Sequence, residues 1–141
     1  AADLGDRRWR NLLEVHESVS RREIEGGRGR LIKSTGDGLM ATFDGPARAV
    51  QTMRTIGALL EPLGLRIRAG VHTGEVELMG EDIGGIAVHI AARLSALAGP
   101  GEVVVSSTVR DLVAGSGLLF EDRGLQSLKG VPEQWRVFAA G

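Results

Sequence analysis

The chain has 141 residues, a formal net charge of −1, 43% hydrophobic and 25% charged residues, which is the size and composition of one ordinary globular domain. So even a charge balance gives no general attraction to nucleic acid or to an anionic membrane. The absence of cysteine excludes disulfides, zinc–thiolate sites and thiol catalysis, and fits a reducing, cytoplasmic setting.

No apolar run reaches membrane-spanning length, and the opening AADLGDRRWR does not read as a signal peptide. Glycine is in excess, 21 residues against a norm of roughly 7%, and the glycines are scattered as in a domain of short elements and tight turns. The sequence starts without Met and inside a helical segment. Residues 1–141 are therefore expected to be one domain of a longer protein.

In chain order, Trp9, Leu12, Leu13, Val15 and Val19 recur at near-helical spacing over residues 5–26, and GGRG ends that helix. RLIKSTGDGLMATF, residues 30–43, is a hairpin signature, since Gly and Asp tolerate the positive φ of a tight reversal. The next helix opens with Asp44 as N-cap and Pro46 in its first turn. It lines Ala47, Val50, Met53, Ile56 and Leu60 on one face, and Gly64 stops it. Leu65, Ile67, Ala69 and Val71 alternate as a strand that turns at Thr73-Gly74 into Glu75–Leu78, a continuation or a second hairpin.

MGEDIGG then reads as a polar loop before a helix over residues 85–98. PGEVVVSS is a buried strand, STVRDLVAGSG a short helix capped by Ser107, and the tail two more strands. The order α-β-β-α-β-α-β-α-β-β implies an α+β sandwich. With one strand in front of residue 1 the core becomes βαββαβ, ferredoxin-like, with an extra C-terminal helix and strands.

Three groupings carry candidate chemistry. Lys33 stands just before the GDG turn and Asp37 at its tip, where a solvated lysine and a turn-favouring aspartate are equally at home. On the helix over 85–98, two glycines precede an N-terminus able to take an anion. Ala87, Ile90, Ala91, Leu94 and Ala98 form its apolar stripe, with Ile86, His89 and Arg93 on the stripe beside it. An Arg one turn beyond a His aims two donors at one place, which suits phosphate oxygens, but a half-buried His with an exposed Arg looks the same. Lys129, before Gly130, can reach a polyphosphate or simply be solvated. His16 and His72 read as structural, and neither a P-loop nor a GxGxxG fingerprint is present.

KSTGDGLMATFDGPARAV, IRAGVHTGEVE and GGIAVHIAARLSALAGPGEVVVSS resemble, in order and spacing, the catalytic domain of class III adenylyl/guanylyl cyclases of bacterial type. FEDRGLQSLKGVPEQWRVF resembles that family's closing strands. The resemblance implies that ATP is converted to 3′,5′-cyclic AMP and pyrophosphate with two divalent metal ions, Mg or Mn, at the interface of a homodimer. It makes Asp37 a metal ligand, Lys33 the purine-contacting lysine, Arg93 the arginine on the reacting phosphate, and Lys129 the cation on the terminal phosphates.

His89 stands where the family usually has a catalytic Asn. Ile86 stands at a position that reads the adenine amino group. The second metal carboxylate is expected on the strand before residue 1, with Asp82 or Glu81 as substitutes. A guanylate cyclase, or a silent cyclase-homology domain binding nucleotide as a regulatory module, are the alternatives. Attached regulatory domains are expected; nucleic acid and direct membrane contact are not.

Overall fold

The computed structural model describes residues 2–35 and 38–141, with side chains from Gly5 onward apart from Thr35. Helix α1 (Ala2–Gly26) leads into the hairpin β1 (Arg30–Thr35) and β2 (Gly38–Thr42). Helix α2 (Pro46–Leu60) and a 3-10 turn (Glu61–Leu63) return the chain to β3 (Ala69–Val71). A second hairpin, β4 (Glu77–Met79) and β5 (Asp82–Gly84), precedes α3 (Ile86–Leu97). Then follow β6 (Val103–Ser106), α4 (Ser107–Leu112), β7 (Phe120–Ser127) and β8 (Gln134–Ala140). None of the described helices is long and apolar enough to cross a membrane.

A four-stranded sheet in the order β3-β6-β8-β7 carries the core. Strand β3 runs parallel to β6, while β8 is antiparallel to both its neighbours. Every residue of β6 is buried because helices cover both faces, which is why VVVS reads as a continuous apolar run rather than an alternation. Val103 and Val105 join Phe138, Ala49, Val50 and Val109 on the side of α2 and α4. Val104 and Val137 join Ile90, Leu94, Ala98 and Leu128 on the side of α3. Full burial of each such side chain contributes roughly 1.5–3 kcal/mol, so this central strand anchors both layers.

The architecture is the α+β sandwich expected. The β1–β2 hairpin forms a sheet of its own, with no ladder to β3 among the described residues. It is held through a third apolar cluster of Ile24, Ile56, Leu60 and Leu65, with Leu31, Leu39 and Ala41 packed against it. Helix α1 contributes Leu12 and Val19 to that cluster, whereas Trp9 and Val15 remain exposed.

Several local expectations are corrected. Strand β4 pairs with β5, not with β3, so the reversal falls after Met79 and the expected polar loop contains a strand. Exposed Glu77, Leu78 and Met79 lack the in–out alternation that marks a half-buried strand, and tertiary placement decided the pairing. Gly45, not Asp44, is the N-cap of α2, with Pro46 at its first position and no side-chain cap. Ser106, not Ser107, caps α4, its hydroxyl accepting from the Val109 amide at 3.3 Å. Gly64 does end the α2 segment, at φ +81°.

Candidate active site

Strand β1 presents Lys33, whose ammonium donates to the Asp82 carboxylate at 3.0 Å. Asp82 opens β5, and β5 lies against β1. The Ile83 amide also donates to Asp82, at 2.7 Å. That amide first, and then the Lys33 ammonium, hold the Asp82 carboxyl below the usual carboxylate range. The carboxylate is therefore a fixed anion with lone pairs to spare, beside an ammonium with protons to spare.

Two residues past Asp82, Gly84 turns β5 towards α3. A Cβ at Gly84 would come within 2.7 Å of the Met79 methyl group, the far end of an exposed, flexible side chain. Gly85 caps α3 with no side-chain partner. Ile86, at the first turn, is 57% exposed; among the described residues it is Asp82, not Ile86, that stands beside Lys33.

Further along α3, His89 and Arg93 are half-buried and one turn apart. His89 Nε2 lies 2.6 Å from the Lys129 carbonyl oxygen, so α3 is tied to the turn between β7 and β8. Arg93 Nε is covered and has no acceptor among the described residues, and the Trp135 indole N–H is in the same state. An orphaned guanidinium nitrogen costs free energy that an anion would recover. Lys129 itself is exposed.

The remaining histidines lie outside α3. His72 Nδ1 is 2.7 Å from the Ser106 hydroxyl, and its ring meets Trp135 edge to face, 5.2 Å between centroids. Burial lowers its proton affinity. His16 is lowered by burial too, with Glu17 opposing.

Asp37 lies outside the described residues. Among the described ones, no three acidic or imidazole side chains gather as a metal group. The described residues alone thus do not fit a pair of divalent metals.

Asp82 is the site residue that sequence reading placed only as a spare metal carboxylate. Its partner is 49 residues away, and no local pattern encodes that pairing. The one sequence signal is an acidic residue shortly before the glycine-capped helix that carries His89 and Arg93.

Comparison with known proteins finds this fold and sequence pattern elsewhere. The fold matches an adenylate/guanylate cyclase/hydrolase from Silicibacter pomeroyi with a TM-score of 0.75, at 29% identity over 88% of this chain and 82% of that one. It also matches an adenylate cyclase from Trypanosoma brucei with a TM-score of 0.82, at 17% identity over 94% and 78%. In sequence the chain is 29% identical over 133 residues to "Putative adenylate cyclase 3" of Rhizobium meliloti, which covers 88% of this chain and 22% of that protein. It is 39% identical over 108 residues to an uncharacterized protein of Mycobacterium tuberculosis, covering 71% and 36%. The chain thus spans well under half the length of these curated relatives. No family model matches it.

In sequence pattern and fold the chain is similar to the class III adenylyl/guanylyl cyclase domains. Its helix–sheet arrangement is that of the cyclase domains.

Proposed function

We propose that this domain is an adenylate cyclase, converting ATP to 3′,5′-cyclic AMP and pyrophosphate in a homodimer. The Lys33–Asp82 pair carries the reading. It sets a donor and an acceptor side by side, and adenine offers their complements in N1 and the 6-amino group. Guanine offers the same two functions in the opposite order, so discrimination rests on the placement of the pair and is modest.

In the reaction, the 3′-oxygen bonds to the α-phosphorus, the bond from that phosphorus to the bridging oxygen breaks, and pyrophosphate leaves. The 3′-hydroxyl proton passes to solvent. Arg93 is the donor for charge developing on the α-phosphate. Lys129, an exposed point charge, takes the terminal phosphates. Divalent ions, when bound, would supply positive charge to the reaction. Asp37 would be this chain's own ligand for them. In a two-fold dimer, Asp37 would face Lys33 and Arg93 of the partner subunit.

A second reading has one observation in its favour. His89, at the position of a catalytic donor, already spends Nε2 on the Lys129 carbonyl. A domain that binds nucleotide without turnover and serves as a regulatory module would be built that way. Assaying the full-length protein with ATP and with GTP in the presence of manganese separates the readings: cyclic nucleotide and pyrophosphate support the enzyme, and nucleotide binding without product supports the module.

A further inference from the structure

We infer that His89 is a positioning residue, whose Nε2–H clamps the Lys129–Gly130 turn onto α3 and so sets where the Lys129 ammonium stands. A carbonyl oxygen can only accept, so the 2.6 Å contact with the Lys129 oxygen requires the proton on His89 Nε2. That fixes the tautomer of the neutral ring and leaves Nδ1 as an acceptor. The nitrogen that would otherwise donate towards substrate is thereby committed to the chain.

The turn is shaped for this contact. Gly130 sits at φ +82°, and a Cβ there would come 2.8 Å from His89 Nε2, so only glycine admits both the backbone and the ring. Leu128 is buried with Ile90 and Leu94 of α3, and Val131 packs against the same cluster. The Val131 amide closes the turn on the Leu128 carbonyl at 2.9 Å. Apolar contacts therefore pin both ends of the turn to α3, and His89 supplies the polar tie between them. The Lys129 ammonium, exposed, has no ion-pair partner among the described residues.

That Lys129 then meets phosphate rests on the cyclase reading; the clamp itself does not. The geometry also separates two amide replacements. Glutamine places its amide nitrogen where imidazole has Nε2, whereas asparagine reaches only to the level of Nδ1 and falls short of the carbonyl.

The test uses the full-length protein and two readouts. The first is NMR of the imidazole nitrogens and of the Lys129 and Gly130 amides. A proton on His89 Nε2 is expected, with the turn amides shifting in His89→Ala and in Gly130→Ala but staying near their wild-type positions in His89→Gln. Turn amides indifferent to His89→Ala would overturn the clamp, whatever the protein does with nucleotide.

The second readout is calorimetric affinity for manganese tripolyphosphate, together with KM and kcat for ATP. Loss of one hydrogen bond should weaken binding about two- to tenfold. It should do so in His89→Ala, in KM more than kcat, with His89→Gln rescuing. On a Lys129→Ala background, His89→Ala should add little. A His89→Ala effect confined to kcat and additive with Lys129→Ala would instead put His89 at the reacting atoms and overturn the proposal. Wild-type protein that neither binds tripolyphosphate nor turns over ATP or GTP would count against the cyclase reading alone, the turn amides still deciding the clamp.

Discussion

Lys33 on β1 and Asp82 on β5 meet at 3.0 Å across 49 residues of sequence, and this pair joins the first hairpin to the strand that feeds α3. Both groups are partly exposed, so the pair itself adds little stability. Its value is in the donor–acceptor edge it presents. Asp82→Ala should lower kcat/KM for ATP about tenfold, the worth of one well-made hydrogen bond, with a smaller effect on GTP. Lys33→Ala should do the same, and the double variant should be little worse than either single one. Steady-state kinetics with both nucleotides check this; an Asp82→Ala enzyme unchanged for ATP would remove Asp82 from base recognition.

Two half-buried histidines act on the acid side of stability. His72 and His16 are both held below the ordinary imidazole value of about 6.5 by burial, Glu17 opposing at His16. Below about 6.5 the unfolded chain binds more protons at these sites than the folded one, so their contribution is full above that value and is lost as pH falls through the folded-state values. Asp82, Glu102 and Asp122 are held below the usual carboxylate range and act at more acidic pH. Melting temperatures at about pH 7.5 and pH 5 should therefore show a fall that is smaller in His72→Gln. An equal fall in wild type and variant would mean His72 titrates normally.

Gly70 lets β3 lie close against α3. A Cβ there would collide with the α3 backbone at Ala91, Leu94 and Ser95, atoms that cannot step aside as a flexible side chain can. Gly70→Ala should cost about 1–3 kcal/mol in urea unfolding and push α3, with Arg93, off the sheet. A neutral substitution would show that β3 and α3 tolerate a wider spacing.

What the sequence disclosed was whatever local pattern encodes. The hairpin around GDG, the face of α2 built on Val50, Ile56 and Leu60, the buried VVVS strand and the closing β7–β8 pair were all legible, because each buries a face or turns on glycine. The β4–β5 hairpin was not, since its exposed Leu78 and Met79 carry no alternation and its pairing is set by its place beside β1. The two caps were each displaced by one residue because neighbouring residues compete for the cap: Asp44 with Gly45, and Ser107 with Ser106. The site divides in the same way. Arg93 and His89 follow from helical spacing, but the partners Asp82 and the Lys129 carbonyl come from tertiary contact alone.

Arg93 is the donor assigned to the reacting phosphate. Arg93→Ala should lower kcat by about a hundred- to a thousandfold with little change in KM. Single-turnover kinetics would expose the opposite pattern, a KM effect without a kcat effect, which would reassign Arg93 to ground-state binding.

The shared site has its own test. In the full-length protein, Asp37→Ala and Arg93→Ala homodimers should each be nearly inactive. Random exchange between them makes about half of all dimers mixed, and each mixed two-fold dimer has one site with both lesions and one with neither. Activity should return to roughly a quarter of wild type by that symmetry. Mixed dimers verified by differently tagged chains and showing no recovery would place both residues in a site within one subunit.

The most direct test of the central claim is product formation by the full-length protein from ATP and manganese, followed by chromatography for 3′,5′-cyclic AMP and by a separate pyrophosphate assay. The two products should appear in equal amounts, faster from ATP than from GTP by about tenfold as one hydrogen bond allows, and should form about a hundred- to a thousandfold more slowly in Arg93→Ala. Nucleotide bound by wild-type protein with no cyclic product from either ATP or GTP would contradict the enzyme and leave a nucleotide-binding module.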